Sequence, residues 1–171
     1  MNSIGLACKP AIQKNLCRYG AVLAKTDLRR SRPMQVLNPK CYSLAREQIL
    51  GAQMIRYTGS CHCGAVKFTF SAPEIEQAMR CDCSICARKG MSMSITTIAP
   101  EDIEISTEED VLSTYQFGSM TARHHFCSQC GIHTFVETRL NPGHYRINLG
   151  CVDGINAPRL PEIIYDGQAL D

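Results

Sequence analysis

The sequence predicts a mainly β fold, a small domain held by metal, and three observations carry that expectation. From Met54 onward, apolar and polar residues alternate in short runs, the period of a half-buried strand. Seven cysteines fall into three tight groups, Cys61-His-Cys63, Cys81-Asp-Cys83-Ser-Ile-Cys86 and Cys127-Ser-Gln-Cys130, placed at the ends and turns of those runs. The chain has 171 residues, 44% of them hydrophobic, enough for one domain with a core and too short for two comfortable ones.

The strands are expected in order. Val66, Phe68 and Phe70 share one face against Ala65, Lys67 and Thr69. Met91, Met93 and Ile95 alternate with Ser92, Ser94 and Thr96, and Ile103 and Ile105 flank Glu104. Tyr145, Ile147 and Leu149 alternate with His144, Arg146 and Asn148, and Ile163–Tyr165 before Asp166-Gly167 reads as a last strand and turn. A helix is expected over Pro73–Arg80, where Ser71 and Glu74 fit a capping box. The acidic stretch Glu101–Asp110 reads as a turn-rich, solvated edge.

Two segments are expected, residues 1–53 and residues 54–171. The first carries nine basic and two acidic residues, a balance of +7; the second carries nine and fourteen, a balance of −5. Residues 1–53 show no sustained period beyond one short helix from Ser43 to Gly51 and read as a poorly structured basic extension. Three readings compete for it: a loosely attached or partner-binding arm, an acid-poor organellar targeting segment, and an upstream start with Met54 as the true first residue. The negative remainder has no basic stripe, so no nucleic-acid partner is expected for the folded domain. No apolar run reaches the roughly 18 residues of a membrane span, and lysines and arginines interrupt any secretory signal. A cytoplasmic, reducing location follows, in which clustered thiols mean metal more often than disulfide.

Seven clustered thiols divide as four plus three. Four thiolates close a tetrahedral zinc site, whereas three leave one position for chemistry. Cys61, Cys63, Cys127 and Cys130 read as the structural set, with Gly64 letting the backbone fold back around an ion and Cys127-Ser-Gln-Cys130-Gly131 in the shape of a zinc knuckle. Cys81, Cys83 and Cys86 read as the working set. Spacing leaves two alternatives standing: Cys61 and Cys63 can share a metal with Cys81 and Cys83, and the three-cysteine set can be closed by Cys151, His62, His125 or His133. Cys8, Cys17 and Cys41 stand singly and receive no role.

Gly59-Ser-Cys61-His-Cys63-Gly64-Ala-Val66-Lys-Phe68, Cys81-Asp-Cys83-Ser-Ile-Cys86 with Gly90, and Phe126-Cys127-Ser-Gln-Cys130-Gly131 together resemble the CENP-V/GFA family, which includes the glutathione-dependent formaldehyde-activating enzymes. Tyr145-Arg-Ile-Asn148-Leu-Gly150-Cys151 and Tyr165-Asp-Gly167 are similar too, so the likeness runs through residues 54–167. It implies a β-tent fold of small coiled sheets and two Zn²⁺ per chain. One zinc would be structural, on Cys61, Cys63, Cys127 and Cys130; the second, open to substrate, would lie on Cys81, Cys83 and Cys86. The activity implied is that of a carbon–sulfur lyase or synthase joining formaldehyde and glutathione as S-hydroxymethylglutathione. No sequence feature identifies the glutathione tripeptide, so small thiols in general stay open as partners. Arg88 and Lys89 are candidates to offset the charge of the second site or to meet a substrate carboxylate, and His124 and His125 are candidate proton carriers. The rival reading is a non-catalytic zinc-binding interaction module, with both metal sites closed.

Overall fold

The structure, a computed structural model, describes Val36–Leu37 and residues 53–170. Three small sheets make up the fold, as the β-tent reading requires. The first is antiparallel and joins β2 (Ile55–Ser60), β3 (Val66–Ala72) and β6 (Ile103–Thr107) in that order. Val66, Phe68 and Phe70 are all buried along its inner face, so the expected alternation sets this register. The second runs β10 (Tyr145–Ile147), β9 (His133–Glu137), β8 (Arg123–Cys127) and β7 (Leu112–Tyr115), again antiparallel, with an irregularity between His125 and Phe126. The third orders β1 (Val36–Leu37), β11 (Glu162–Tyr165), β4 (Ala78–Cys81) and β5 (Met93–Ser94). Here β11 pairs parallel with both β1 and β4.

Phe68 meets Phe135 edge-on at 5.9 Å between ring centroids, and Phe135 meets Tyr145 the same way at 5.7 Å. This geometry suits the aromatic quadrupole and joins the first sheet to the second in one core that also holds Cys61, Cys127 and Cys151. A separate cluster, Met79, Cys86, Met91, Met93, Val136, Ile163 and Tyr165, packs beside the third sheet. The cysteine groups thus sit in two different apolar clusters.

Residues 73–80 do not form the expected helix. Ser71 is paired opposite Arg56 inside β3 and cannot cap, and the Ile75 N–H donates to Tyr57 Oη at 3.1 Å. Ala78 and Met79 are buried in β4 between β11 and β5, so tertiary pairing overrides the local signal. The α-helix lies just beyond, as α1 (Ser84–Lys89). The acidic stretch is also more regular than expected, because β6 occupies its middle. The alternation from Tyr145 stops at Ile147; Leu149–Cys151 is a 3₁₀ turn capped by Asn148, whose side chain accepts from the Gly150 N–H at 3.1 Å. The expected helix at Ser43–Gly51 and the cysteines at 8, 17 and 41 lie outside the described residues. Among the described residues no helix is long and apolar enough to cross a membrane.

Candidate metal centre

The four outer cysteines are carried by two short turns. In the first, the Cys61 N–H donates to the Val66 carbonyl at 2.9 Å and the Gly64 N–H to the Cys61 carbonyl at 3.1 Å, with Gly64 at φ 81°. In the second, the Cys127 N–H donates to the Ile132 carbonyl at 2.9 Å and the Gly131 N–H to the Cys127 carbonyl at 2.8 Å, with Gly131 at φ 73°. Both glycines adopt the left-handed conformation that side-chain-bearing residues resist. The result brings Cys61, Cys63, Cys127 and Cys130 together, every sulfur within 4.8 Å of the others. Cys61 and Cys63 Sγ are 3.5 Å apart, and Cys63 and Cys127 Sγ are 3.6 Å apart. Zinc–sulfur bonds of about 2.3 Å in a tetrahedron place sulfurs roughly 3.8 Å apart, so this set fits zinc. The backbone N–H of Ile132 holds the Cys130 thiol down to about 6, already favouring the ligating thiolate.

Cys81, Cys83 and Cys86 form a second group, again with all sulfurs within 4.8 Å. Cys81 ends β4, Cys83 is the N-cap of α1 and Cys86 lies one helical turn on, buried. Residues three apart on a helix share a face. Hydrogen bonds from Cys81 and Cys86 hold the Cys83 thiol down to about 2; the Cys83 contact pushes Cys81 up to about 11, and contacts with Cys81 and Cys83 push Cys86 above the ordinary thiol range. Three crowded sulfurs are a donor set suited to a cation that favours thiolate ligands, such as zinc. Among the described residues no fourth cysteine, histidine or carboxylate joins this group within 4.8 Å. The four residues considered for that place are otherwise engaged or placed. His62 is exposed on the first turn. Cys151 lies close enough to Cys61 and Cys130 to feel their charge, and burial pushes its thiol up to about 11. His125 is bonded on both sides, Nδ1 to Thr114 Oγ1 at 2.9 Å and Nε2 to Glu137 Oε1 at 3.1 Å. His133 packs against His124, with ring centroids 5.8 Å apart.

The C-terminal turn locks this group in place. Gly167 sits so close that a Cβ there would run into Cys81 Sγ and lie 2.8 Å from Cys83 Cβ. Gly90 closes α1 at φ 63°, its N–H donating to the Cys86 carbonyl at 3.0 Å.

Of the expected charged and proton-carrying residues, two are bonded elsewhere and two carry a buried nitrogen without a hydrogen-bond partner. Arg88 turns back on its own helix to the Ser84 carbonyl, and His125 is held by Thr114 and Glu137. Lys89 turns inward, where desolvation lowers its ammonium to about 8 against the opposing pull of Cys86 and Cys83. His124 is buried, and desolvation with the Lys89 charge lowers it to about 4. His133, considered only as a ligand, is lowered to about 3 by the same two causes.

A mainly β protein with one four-thiol and one three-thiol group carries two donor sets of the kind that can hold a metal ion. The family model described as glutathione-dependent formaldehyde-activating enzyme matches residues 56–165, and the chain belongs to that family. A Halomonas elongata protein, whose provisional name is glutathione-dependent formaldehyde-activating enzyme, is 28% identical over 113 residues, 63% of this chain and 71% of its own. The crystal structure of a Rhodobacter sphaeroides protein is similar at a TM-score of 0.58 and 38% identity, covering 63% of this chain and 98% of that one.

Proposed function

We propose that the chain is a zinc-dependent carbon–sulfur lyase or synthase acting on a small thiol adduct such as S-hydroxymethylglutathione. One observation carries the reading: three cysteine sulfurs converge at Cys81, Cys83 and Cys86, and among the described residues no fourth protein ligand joins them. The family's description and the name of the Halomonas relative support formaldehyde and glutathione as the reactants.

In this reading Cys61, Cys63, Cys127 and Cys130 hold a structural zinc that ties β2 to the β8–β9 turn, and Cys81, Cys83 and Cys86 hold the second. A zinc bound by three thiolates supplies a place where a thiol is held as thiolate near neutral pH, ready to add to a small aldehyde. The chain's own residues do the rest. Cys81, Cys83 and Cys86 fix where the incoming sulfur sits, which converts a bimolecular encounter into a positioned one. Met79, Met93 and Ile163 wall the group with apolar surface that limits water.

The test is exchange spectroscopy of glutathione and formaldehyde with the zinc-loaded full chain. Faster equilibration than in its absence supports the enzyme reading. No acceleration at full loading, with glutathione and with other small thiols, overturns it in favour of an interaction module.

A further inference from the structure

Beside the three-cysteine group lie polar atoms that the fold leaves without partners. Lys89 Nζ, His124 Nδ1 and both ring nitrogens of His133 are enclosed by protein, and none has a hydrogen-bond partner. His124 is only 4% exposed. The three side chains come from separate elements, α1, β8 and β9; Cys86 of α1 packs in one apolar cluster with Val136 of β9, and Val136 pairs with His124 of β8. The two rings are 5.8 Å apart at their centroids. The Lys89 charge acts on both rings, and the sulfurs of Cys83 and Cys86 act on Lys89.

Such a grouping is costly, because a buried donor without an acceptor has lost its water and gained nothing. The neighbouring His125 shows that this strand can satisfy a histidine fully, through Thr114 and Glu137. Phe117 stacks on His124 with centroids 5.9 Å apart, which fixes the plane of that ring. The Lys89 ammonium and one N–H on the His133 ring are donors for which the fold supplies no acceptor.

We infer that Lys89, His124 and His133 form an oxyanion subsite, which receives the oxygen borne by the carbon that bonds to the thiol sulfur. This rests on the thiol–aldehyde reading above. In the forward direction the thiol loses its proton to solvent on binding. A sulfur lone pair then forms the carbon–sulfur bond, the carbonyl π pair moves onto oxygen, and that alkoxide takes a proton from solvent. The product is the neutral hydroxymethyl thioether, so protons and electrons balance without a redox partner. Lys89 is the catalytic residue of the subsite, its ammonium meeting charge that develops only as the bond forms. The two histidines are N–H donors that complete the site. The reverse reaction uses the same contacts to favour breakdown of the adduct.

The test compares the zinc-loaded wild-type chain with Lys89→Met and His133→Phe. Exchange spectroscopy reads turnover, calorimetric titration reads glutathione affinity, and thermal melting reads stability. Expected for Lys89→Met is a fall in turnover of about 100-fold or more, a glutathione affinity close to that of wild type, and a melting temperature equal to or above wild type. His133→Phe should lose turnover by a smaller factor and likewise not lose stability. A purely structural role would lower the melting temperature and leave turnover per folded molecule unchanged, which would overturn the inference. Loss of glutathione affinity with unchanged turnover at saturation would also overturn it, by making Lys89 a carboxylate anchor. A wild-type chain without activity removes the underlying reading as well, whereas an active wild type with an equally active Lys89→Met removes this inference alone.

Discussion

The backbone N–H of Gly167 donates to Asp82 Oδ1 at 2.7 Å, tying the C-terminal turn to the residue between Cys81 and Cys83. The Gln168 N–H adds a second bond to the same oxygen at 3.2 Å. A carboxylate that collects two consecutive backbone donors is a rigid fixture. It orients two of the three sulfurs without touching a metal.

Asp82→Ala is therefore expected to weaken metal retention at Cys81, Cys83 and Cys86 by about 10- to 100-fold, the usual cost of losing a supporting partner. Gly167→Ala should do at least as much, since its Cβ would collide with Cys81 Sγ. Competition against a chromophoric chelator would show one metal released early and the other retained.

The two cysteine groups should respond differently to ligand loss. Cys127→Ser removes a fully buried sulfur from the group joining two sheets, where metal binding is folding free energy. Thermal melting followed by circular dichroism is expected to show a chain largely unfolded at physiological temperature. Cys83→Ser should keep a cooperative melt and the structural metal while abolishing turnover.

Gly59 faces β3 with no room for a side chain. A Cβ there would run into the Cys151 carbonyl and come within 2.6 Å of the Phe68 ring. Gly59→Ala should cost about 1–3 kcal/mol by overpacking, read as a lowered denaturant midpoint with unchanged slope.

His124 and His133 give the stability a pH dependence. Burial holds them down to about 4 and about 3 in the folded chain, against about 6.5 when unfolded. Between those values the unfolded chain binds the extra protons, so stability is full above about pH 6.5 and falls as the pH drops toward 4. Denaturant midpoints measured across that window should decline for the wild type. The decline should be shallower in His133→Phe, a difference that separates this effect from acid release of metal common to both proteins.

Much of the site was legible because its cysteines are local. CxC and CxxC place two sulfurs on one turn whatever the rest of the chain does, and Gly64 and Gly131 mark those turns. The strand at Val66–Ala72 was legible for a similar reason, having one buried face and one solvated face. Strand β8 carried no such period, since His124 and His125 are both buried although they point to opposite sides. Helix α1 is under two turns long, too short for any periodic signal, and it is held by the cysteine group and Gly90 rather than by propensity. The helix expected at Pro73–Arg80 failed because pairing with β11 depends on residues more than eighty positions away. The convergence of Lys89 with His124 and His133 depends on the same kind of distant packing, which spacing does not encode.

The central claim is that Cys81, Cys83 and Cys86 hold a metal able to take up an external thiol. Cadmium-113 magnetic resonance of the chain with both sites filled by cadmium tests it most directly. The expected result is two resonances, one unmoved by added glutathione and one shifting as glutathione binds, the latter lost in Cys83→Ser. Two resonances that both ignore glutathione and other small thiols would mean two closed sites, and would contradict the account.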